Sequence, residues 1–287
     1  MKRILVVQNV ARERLGLLEQ VLRERGAVWD VADLDAGDPF PDTLPYDALI
    51  VFGGPDSAND ATPKMIAELE RIRDAALAGM PYLGVCLGMQ ALVKALGGRV
   101  IPSPAREIGW RDPDGELNAV ALTEQGLRDP LFMGLESPFV IFQLHGETVE
   151  LSPDMALLAE GKFCRNQVIR ARKRAYGIQG HFELTPRMFS EWLDEDADLK
   201  TLDRGQLLRE KMLRSQLRLR HNLYPPQTLR RVGDACSAPT FCPRSARRRR
   251  KDPAWPKHRP HPLLDPRQAS GASCHEPVQK CGALLRS

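Results

Sequence analysis

No stretch of this 287-residue chain approaches the roughly 20 consecutive apolar residues of a membrane span, so no membrane partner is expected. The N-terminal apolar run, Ile4-Leu5-Val6-Val7, is too short for a secretory signal. It reads as the first strand of a sheet, and a cytoplasmic protein is expected. Cysteine is scarce over the first 225 residues, where only Cys86 and Cys164 occur. Two distant thiols do not make a disulfide framework. Histidine is scarce throughout, with six residues at positions 145, 181, 221, 258, 261 and 275. Chemistry that needs an imidazole therefore has few places to find one. A nucleotide-binding Gly-rich loop is also missing, so no second enzyme is expected within the chain. The spacings Cys236-x5-Cys242, His258-x2-His261 and Cys274-x6-Cys281 match no standard zinc pattern. Neither a metal nor a cofactor is expected.

What is present is unevenly divided. Residues 226–287 carry 13 Lys and Arg against 4 Asp and Glu, whereas residues 1–225 carry 28 basic and 33 acidic side chains. Counting Pro225, the basic tail also holds 10 of the 23 prolines, and hydrophobic periodicity is lost there. Such a composition buries too little apolar surface to offset its ordering entropy. A disordered tail is expected over residues 225–287, with a frameshifted C-terminus as another account of it. The domain proper is expected over residues 1–224. Its mildly acidic balance gives no reason to expect nucleic-acid binding; only the run Arg247–Lys251 could support that, and such runs are most often solvated charge.

The body alternates strand and helix signals. Ile4–Val7, Ala27–Ala32, Tyr46–Phe52 and Pro81–Val85 read as strands. Leu15–Arg25 places apolar residues at 15, 17, 18, 21 and 22, a helical stripe that Gly26 ends. Thr62–Ala78, with Pro63 just inside its start, and Leu87–Leu96, stopped by Gly97-Gly98, read as helices. This rhythm predicts an α/β fold with an open, mostly parallel sheet and helices on both faces. Beyond Val100 short added β segments are expected at Ala119–Leu122 and Phe139–Gln143, then a strand at Ala175–Gln179. Helices are expected over Pro186–Leu193 and Leu207–Leu219.

The most pointed local feature is Gly84-Val85-Cys86-Leu87-Gly88, where an apolar strand runs directly into a helix. A sharp strand-to-helix turn needs glycines at these two positions, because a Cβ there would clash with neighbouring backbone. The turn exposes its tip residue at a helix N-terminus, whose partial positive charge favours a thiolate. Cys86 thus reads as a nucleophile. Glycine turns also surround cysteines that merely pack, and Cys164, with no such setting, reads as one of those.

A cysteine nucleophile needs a base, usually histidine, oriented by a carboxylate or amide. Four histidines lie in the tail or at its margin, which leaves His145 and His181. Each has a glutamate two residues on, Glu147 and Glu183, and residues i and i+2 of an extended segment project to the same side. Spacing alone barely separates the two. The strand Tyr176-Gly177-Ile178-Gln179 favours His181 with Glu183, because it leads to the sheet edge where α/β sites gather. Gly53-Gly54-Pro55 ends another strand, and the N–H groups of Gly54 and Leu87 are the natural pair for a developing oxyanion. The chemistry expected is acyl transfer through a thioester.

These residues resemble a known family. Gly53-Gly54-Pro55, Gly84-Val85-Cys86-Leu87-Gly88-Met89-Gln90 and Gly177-Ile178-Gln179-Gly180-His181-Phe182-Glu183 look like the three motifs of class I glutamine amidotransferases. More narrowly, the chain is similar to the free-standing group related to the glutaminase domain of GMP synthase. Glu107-Ile108-Gly109-Trp110, His145-Gly146-Glu147-Thr148 and Asn166-Gln167 add to the likeness, which covers about residues 1–195. The resemblance implies a Cys86–His181–Glu183 triad that hydrolyses the side-chain amide of L-glutamine. It also implies that Gln90 contacts glutamine and that His145 and Gly146 line the pocket. A separate ammonia-accepting synthetase or synthase is the implied partner. The alternatives are a hydrolase of γ-glutamyl amides or peptides, and a catalytically silent domain whose basic tail binds nucleic acid. Two positions depart from the family: Gly180 replaces the usual aromatic before the histidine, which removes packing beside His181, and Phe182 replaces the usual proline after it.

Overall fold

The computed structural model describes residues 2–208. The expected tail, the boundary at residues 224/225 and most of the helix expected over Leu207–Leu219 lie outside that range; residues 204–208 are helical. Along the chain run β1 (Arg3–Gln8), α1 (Leu17–Glu24), β2 (Val28–Asp33), β3 (Ala48–Val51), α2 (Pro63–Leu77), β4 (Tyr82–Val85), α3 (Leu87–Ala95) and β5 (Arg99–Gly109). They are followed by β6 (Ala119–Leu122), α4 (Glu124–Arg128), β7 (Phe139–Val140), β8 (Gln143–Glu150), β9 (Ala156–Gly161), β10 (Asn166–Arg172), β11 (Ala175–Ile178) and α5 (Pro186–Glu195).

One sheet has the order β2-β1-β3-β4-β11-β10-β9-β6-β7. Its first five strands are parallel, and the rest extend it antiparallel. This is the expected α/β architecture with helices on both faces. Alternation along β1 shows why: Ile4 and Val6 join Leu18 and Leu22 of α1, whereas Leu5 and Val7 join Met65 and Ile72 of α2. The parallel strands are apolar on both faces because both are covered. Helices α2 and α5 begin at Thr-Pro pairs, where Thr62 and Thr185 accept from the N–H groups of Met65 and Met188 at 3.2 Å.

Strands β5, β8, β9 and β10 go beyond the sequence reading. Pro102 and Pro104 obscure β5, but it pairs on one side only, with β8 in a separate two-stranded sheet, and its register slips between Pro102 and Glu107. Proline is tolerated at such an edge and bulge. The segment expected as one strand over Phe139–Gln143 is two elements, with β7 ending at Val140 and β8 beginning at Gln143. A third apolar cluster, with Trp110, Phe142, Phe189 and Trp192, lies beneath α5. Strand β11, the last strand among the described residues, sits beside β4, which brings the end of one strand motif to the end of the other.

Candidate active site

Cys86 occupies the turn between β4 and α3 with φ 51° and ψ −111°, the only non-glycine residue of positive φ among the described residues. A Cβ on Gly84 would overlap the Gly88 carbonyl, and a Cβ on Gly88 would overlap the Val51 carbonyl. Both glycines are therefore required by close backbone approach, as the sequence predicts. The Cys86 N–H donates to the Ile178 carbonyl at 2.8 Å, which ties the turn to β11.

Three residues beyond β11, His181 donates its backbone N–H to the Phe142 carbonyl at 2.7 Å. Its Nδ1 lies 2.8 Å from Glu183 Oε1, and both side chains are fully buried. The Glu183 carbonyl accepts the Leu17 N–H at 2.8 Å, so the start of α1 holds this segment, and Gly16 is needed because a Cβ there would overlap that carbonyl. Burial disfavours the imidazolium. The Glu183 carboxylate, hydrogen bonding to Cys86 and Glu183, and the Glu13 carboxylate outweigh it, so the His181 pKa stands well above the ordinary value. The packing that Gly180 lacks is supplied from elsewhere: the Trp192 ring meets His181 edge-on, with centroids 4.8 Å apart.

A cavity of about 580 Å³ opens at Cys86. Gly54, Leu87 and Gln90 line it, together with Leu144, His145, Gly146 and Glu147. Gly54 packs on Asn9, whose side-chain amide donates to the Phe52 carbonyl at 3.3 Å and to Glu68 Oε1 at 2.9 Å. The Leu87 N–H, first in α3, has no acceptor within the helix. Gln90 donates to the Glu147 carbonyl at 3.1 Å and to Gln179 Oε1 at 3.3 Å, and Gln179 Nε2 approaches Cys86 Sγ at 3.6 Å. The backbone of His145 and Gly146 borders the cavity, but the His145 imidazole is buried, with Nδ1 3.0 Å from the Glu147 carbonyl and Nε2 3.3 Å from Glu107 Oε2.

Glu107, His145 and Cys164 place donor atoms within 4.8 Å of one another and form a second cluster that could ligate a metal. Cys164 is 0% exposed, and burial pushes its thiol up to about 11, so it stays protonated at neutral pH. Its sulfur lies 3.0 Å from the Thr148 hydroxyl. This cluster joins β5, β8 and the turn between β9 and β10, and lacks the accessible thiolate that a nucleophile needs.

Sequence reasoning missed Glu13, Gln179 as a partner of the thiol, and Trp192. Glu13 hides in Ala11-Arg12-Glu13-Arg14, which reads as a solvated turn. Its one signal is its place just after β1, at the sheet edge where α/β sites gather. Arg12 Nε and Glu13 Oε2, on residues that line the cavity, and Glu183 Oε2 are buried polar atoms without partners. Orphaned groups of this kind call for a functional explanation.

The sequence pattern of the family described as "Glutamine amidotransferase class-I" matches residues 12–197. Among curated relatives, the chain is 31% identical over 189 residues to the glutamine amidotransferase-like protein YfeJ of Salmonella typhimurium, covering 64% of this chain and 76% of that one. It is also 31% identical over 191 residues to the glutamine-hydrolysing GMP synthase of Aliivibrio salmonicida. That match covers 64% of this chain but only 33% of the synthase, so the chain spans about a third of the synthases it resembles. Solved glutamine amidotransferases from Thermotoga maritima and Methylobacillus flagellatus are similar at TM-scores of 0.66 and 0.68, with 26% and 27% identity. These cover 81% and 83% of this chain, and 98% and 93% of the respective structures.

Proposed function

The chain belongs to the class I glutamine amidotransferases, and from that premise we propose that it hydrolyses the side-chain amide of glutamine with Cys86, His181 and Glu183 as its triad. The observation that supports the reading is the strained Cys86 turn on the cavity wall, tied through its N–H to the end of β11, whose continuation carries the buried His181–Glu183 pair. His181 takes the thiol proton while Glu183 holds Nδ1. The thiolate attacks the amide carbon. The N–H groups of Gly54 and Leu87 receive the developing oxyanion. His181 returns the proton to the departing nitrogen, leaving a γ-glutamyl thioester and ammonia, and water then releases glutamate. Gln90 and the His145-Gly146 backbone hold the substrate. The acceptor of the ammonia is a separate synthetase or synthase, and the reaction takes place in the cytoplasm. No helix among the described residues is long and apolar enough to cross a membrane.

A second reading, hydrolysis of larger γ-glutamyl amides, draws support from the cavity volume, which lies in the range that accommodates ligands well above amino-acid size.

The test is intact-mass labelling with diazo-oxo-norleucine alongside glutaminase assays. One adduct on Cys86 is expected, with activity lost in Cys86→Ala and retained in Cys164→Ala. Activity that survives Cys86→Ala would refute the assignment. Turnover of γ-glutamyl amines with little turnover of glutamine would select the second reading.

A further inference from the structure

Of the acidic residues that line the cavity, Glu13 is the buried one, and the triad gives it no role. Glu13, in the loop between β1 and α1, is 3% exposed and borders the Cys86 cavity. Its Oε2 has no hydrogen-bond partner. That oxygen fills the space a Cβ of residue 53 would need, and Cys86 Cβ lies 3.0 Å from the same point. Carboxylate and nucleophile thus stand side by side, and Gly53 is what lets both fit.

The charged groups that act on Glu13 are His181, Glu183, Arg12 and Asp196. His181 is engaged by Glu183 at 2.8 Å and Arg12 by Asp196 at 2.8 Å, so each nearby cation already has an anion. Burial, with the two neighbouring carboxylates, outweighs the two cations and raises the Glu13 pKa, so its carboxyl retains a proton more readily than an ordinary glutamate. The cavity wall has the same sign. Glu147 and Glu195 line it without an ion-pair partner among the described residues, and its other cation, Arg106, is paired with Asp198. An acidic, partly enclosed chamber concentrates cations.

We propose that Glu13 forms a binding site for ammonium, or for a small primary ammonium ion, beside the catalytic thiol. The site rests on the amide-hydrolysing reading, which releases the nitrogen at this point. Ammonia that takes up a proton in the cavity, from the Glu13 carboxyl or from water, breaks one O–H bond and forms one N–H bond, and the Glu13 carboxylate holds the resulting ammonium as an ion pair. No electrons change hands. When the ammonium ion leaves, the site is free for the next turnover.

Alkylation of Cys86 by iodoacetamide tests this without any turnover. The full chain is alkylated at constant ionic strength in ammonium chloride, methylammonium chloride, potassium chloride or sodium chloride, and Cys86 is followed by peptide mapping. Ammonium and methylammonium are expected to slow alkylation several-fold relative to sodium, and potassium is not. In Glu13→Gln, which keeps the shape and cannot form a carboxylate, the rates in ammonium and sodium should become equal. The readout is a ratio within one variant, so a change in the thiol's own reactivity cancels. Equal rates in the wild-type chain, protection that persists in Glu13→Gln, or protection by potassium as strong as by ammonium would each overturn the assignment. If Glu13→Gln does not fold, Glu13→Asp, which withdraws the carboxylate by one methylene, should weaken protection; undiminished protection would overturn the proposal equally. A chain that takes the diazo-oxo-norleucine adduct but shows no ammonium protection keeps the proposed function and loses this site. Protection without glutamine hydrolysis does the reverse.

Discussion

Cys86 is held in a backbone conformation that costs a non-glycine residue roughly 1–3 kcal/mol and persists only where its surroundings enforce it. Those surroundings are residues that the spacing of the sequence already picks out: Gly84, Gly88, His181 and Glu183. The partner of the histidine was legible because i and i+2 share a side of an extended segment. Glu13 was not, since a glutamate between two arginines looks like solvated charge until the fold buries it. At this scale the role of Glu183 can be tested by Glu183→Gln. The carboxylate raises the His181 pKa against the opposing effect of burial. Its removal should let the imidazolium lose its proton at lower pH, moving the alkaline limb of the kcat/KM profile down. Turnover should fall on the order of 10³–10⁴-fold, as when a triad loses the group that fixes its imidazole. An unmoved alkaline limb with normal turnover would remove Glu183 from the triad.

Among the elements, α2 does more than cover the sheet. Glu68 is fully buried on it and accepts from Asn9, the residue on which Gly54 packs. Burial raises the Glu68 pKa from 4.5 to about 7. The folded chain therefore binds more protons than the unfolded one between those two values, so stability falls as pH rises through that window and levels off above it. The full difference is about 3 kcal/mol. Glu68→Gln should abolish this contribution, so urea midpoints at pH 5 and pH 8 should converge relative to wild type. A wild-type-like loss of stability in the variant would show that the slope comes from other groups. Helix and strand types for the first hundred residues could be read from apolar periodicity and capping. Strands β5, β8, β9 and β10 could not, because prolines, a glycine and exposed alternate positions weaken a signal that pairing alone makes coherent.

On the scale of the whole molecule, the chain closes on itself to complete the site. Helix α5 follows directly after the His181–Glu183 segment and returns Trp192 to pack on His181, while Trp192 Nε1 donates to the Arg12 carbonyl at 2.9 Å. One side chain thus links α5, the loop that carries Glu13, and the imidazole. Trp192→Phe keeps a ring but loses the donor. Melting should drop by the equivalent of about 1 kcal/mol, the worth of one hydrogen bond. If the ring contact positions His181, kcat should fall several-fold with KM little changed. A lower melting temperature with unchanged kcat would confine Trp192 to stability.

Local pattern by itself determined the α/β class, the glycine-flanked turn at Cys86 and the family, because each depends on residues close in sequence whose sterics leave few options. The tertiary structure alone decided that β11 lies beside β4, that the His145 ring pairs with Glu107 while its backbone borders the cavity, that Trp192 backs His181, and that Glu13 stands next to Cys86. The physical reason is burial: whether a charged or polar side chain is solvated or enclosed depends on segments far away in sequence, and no spacing rule reports on them.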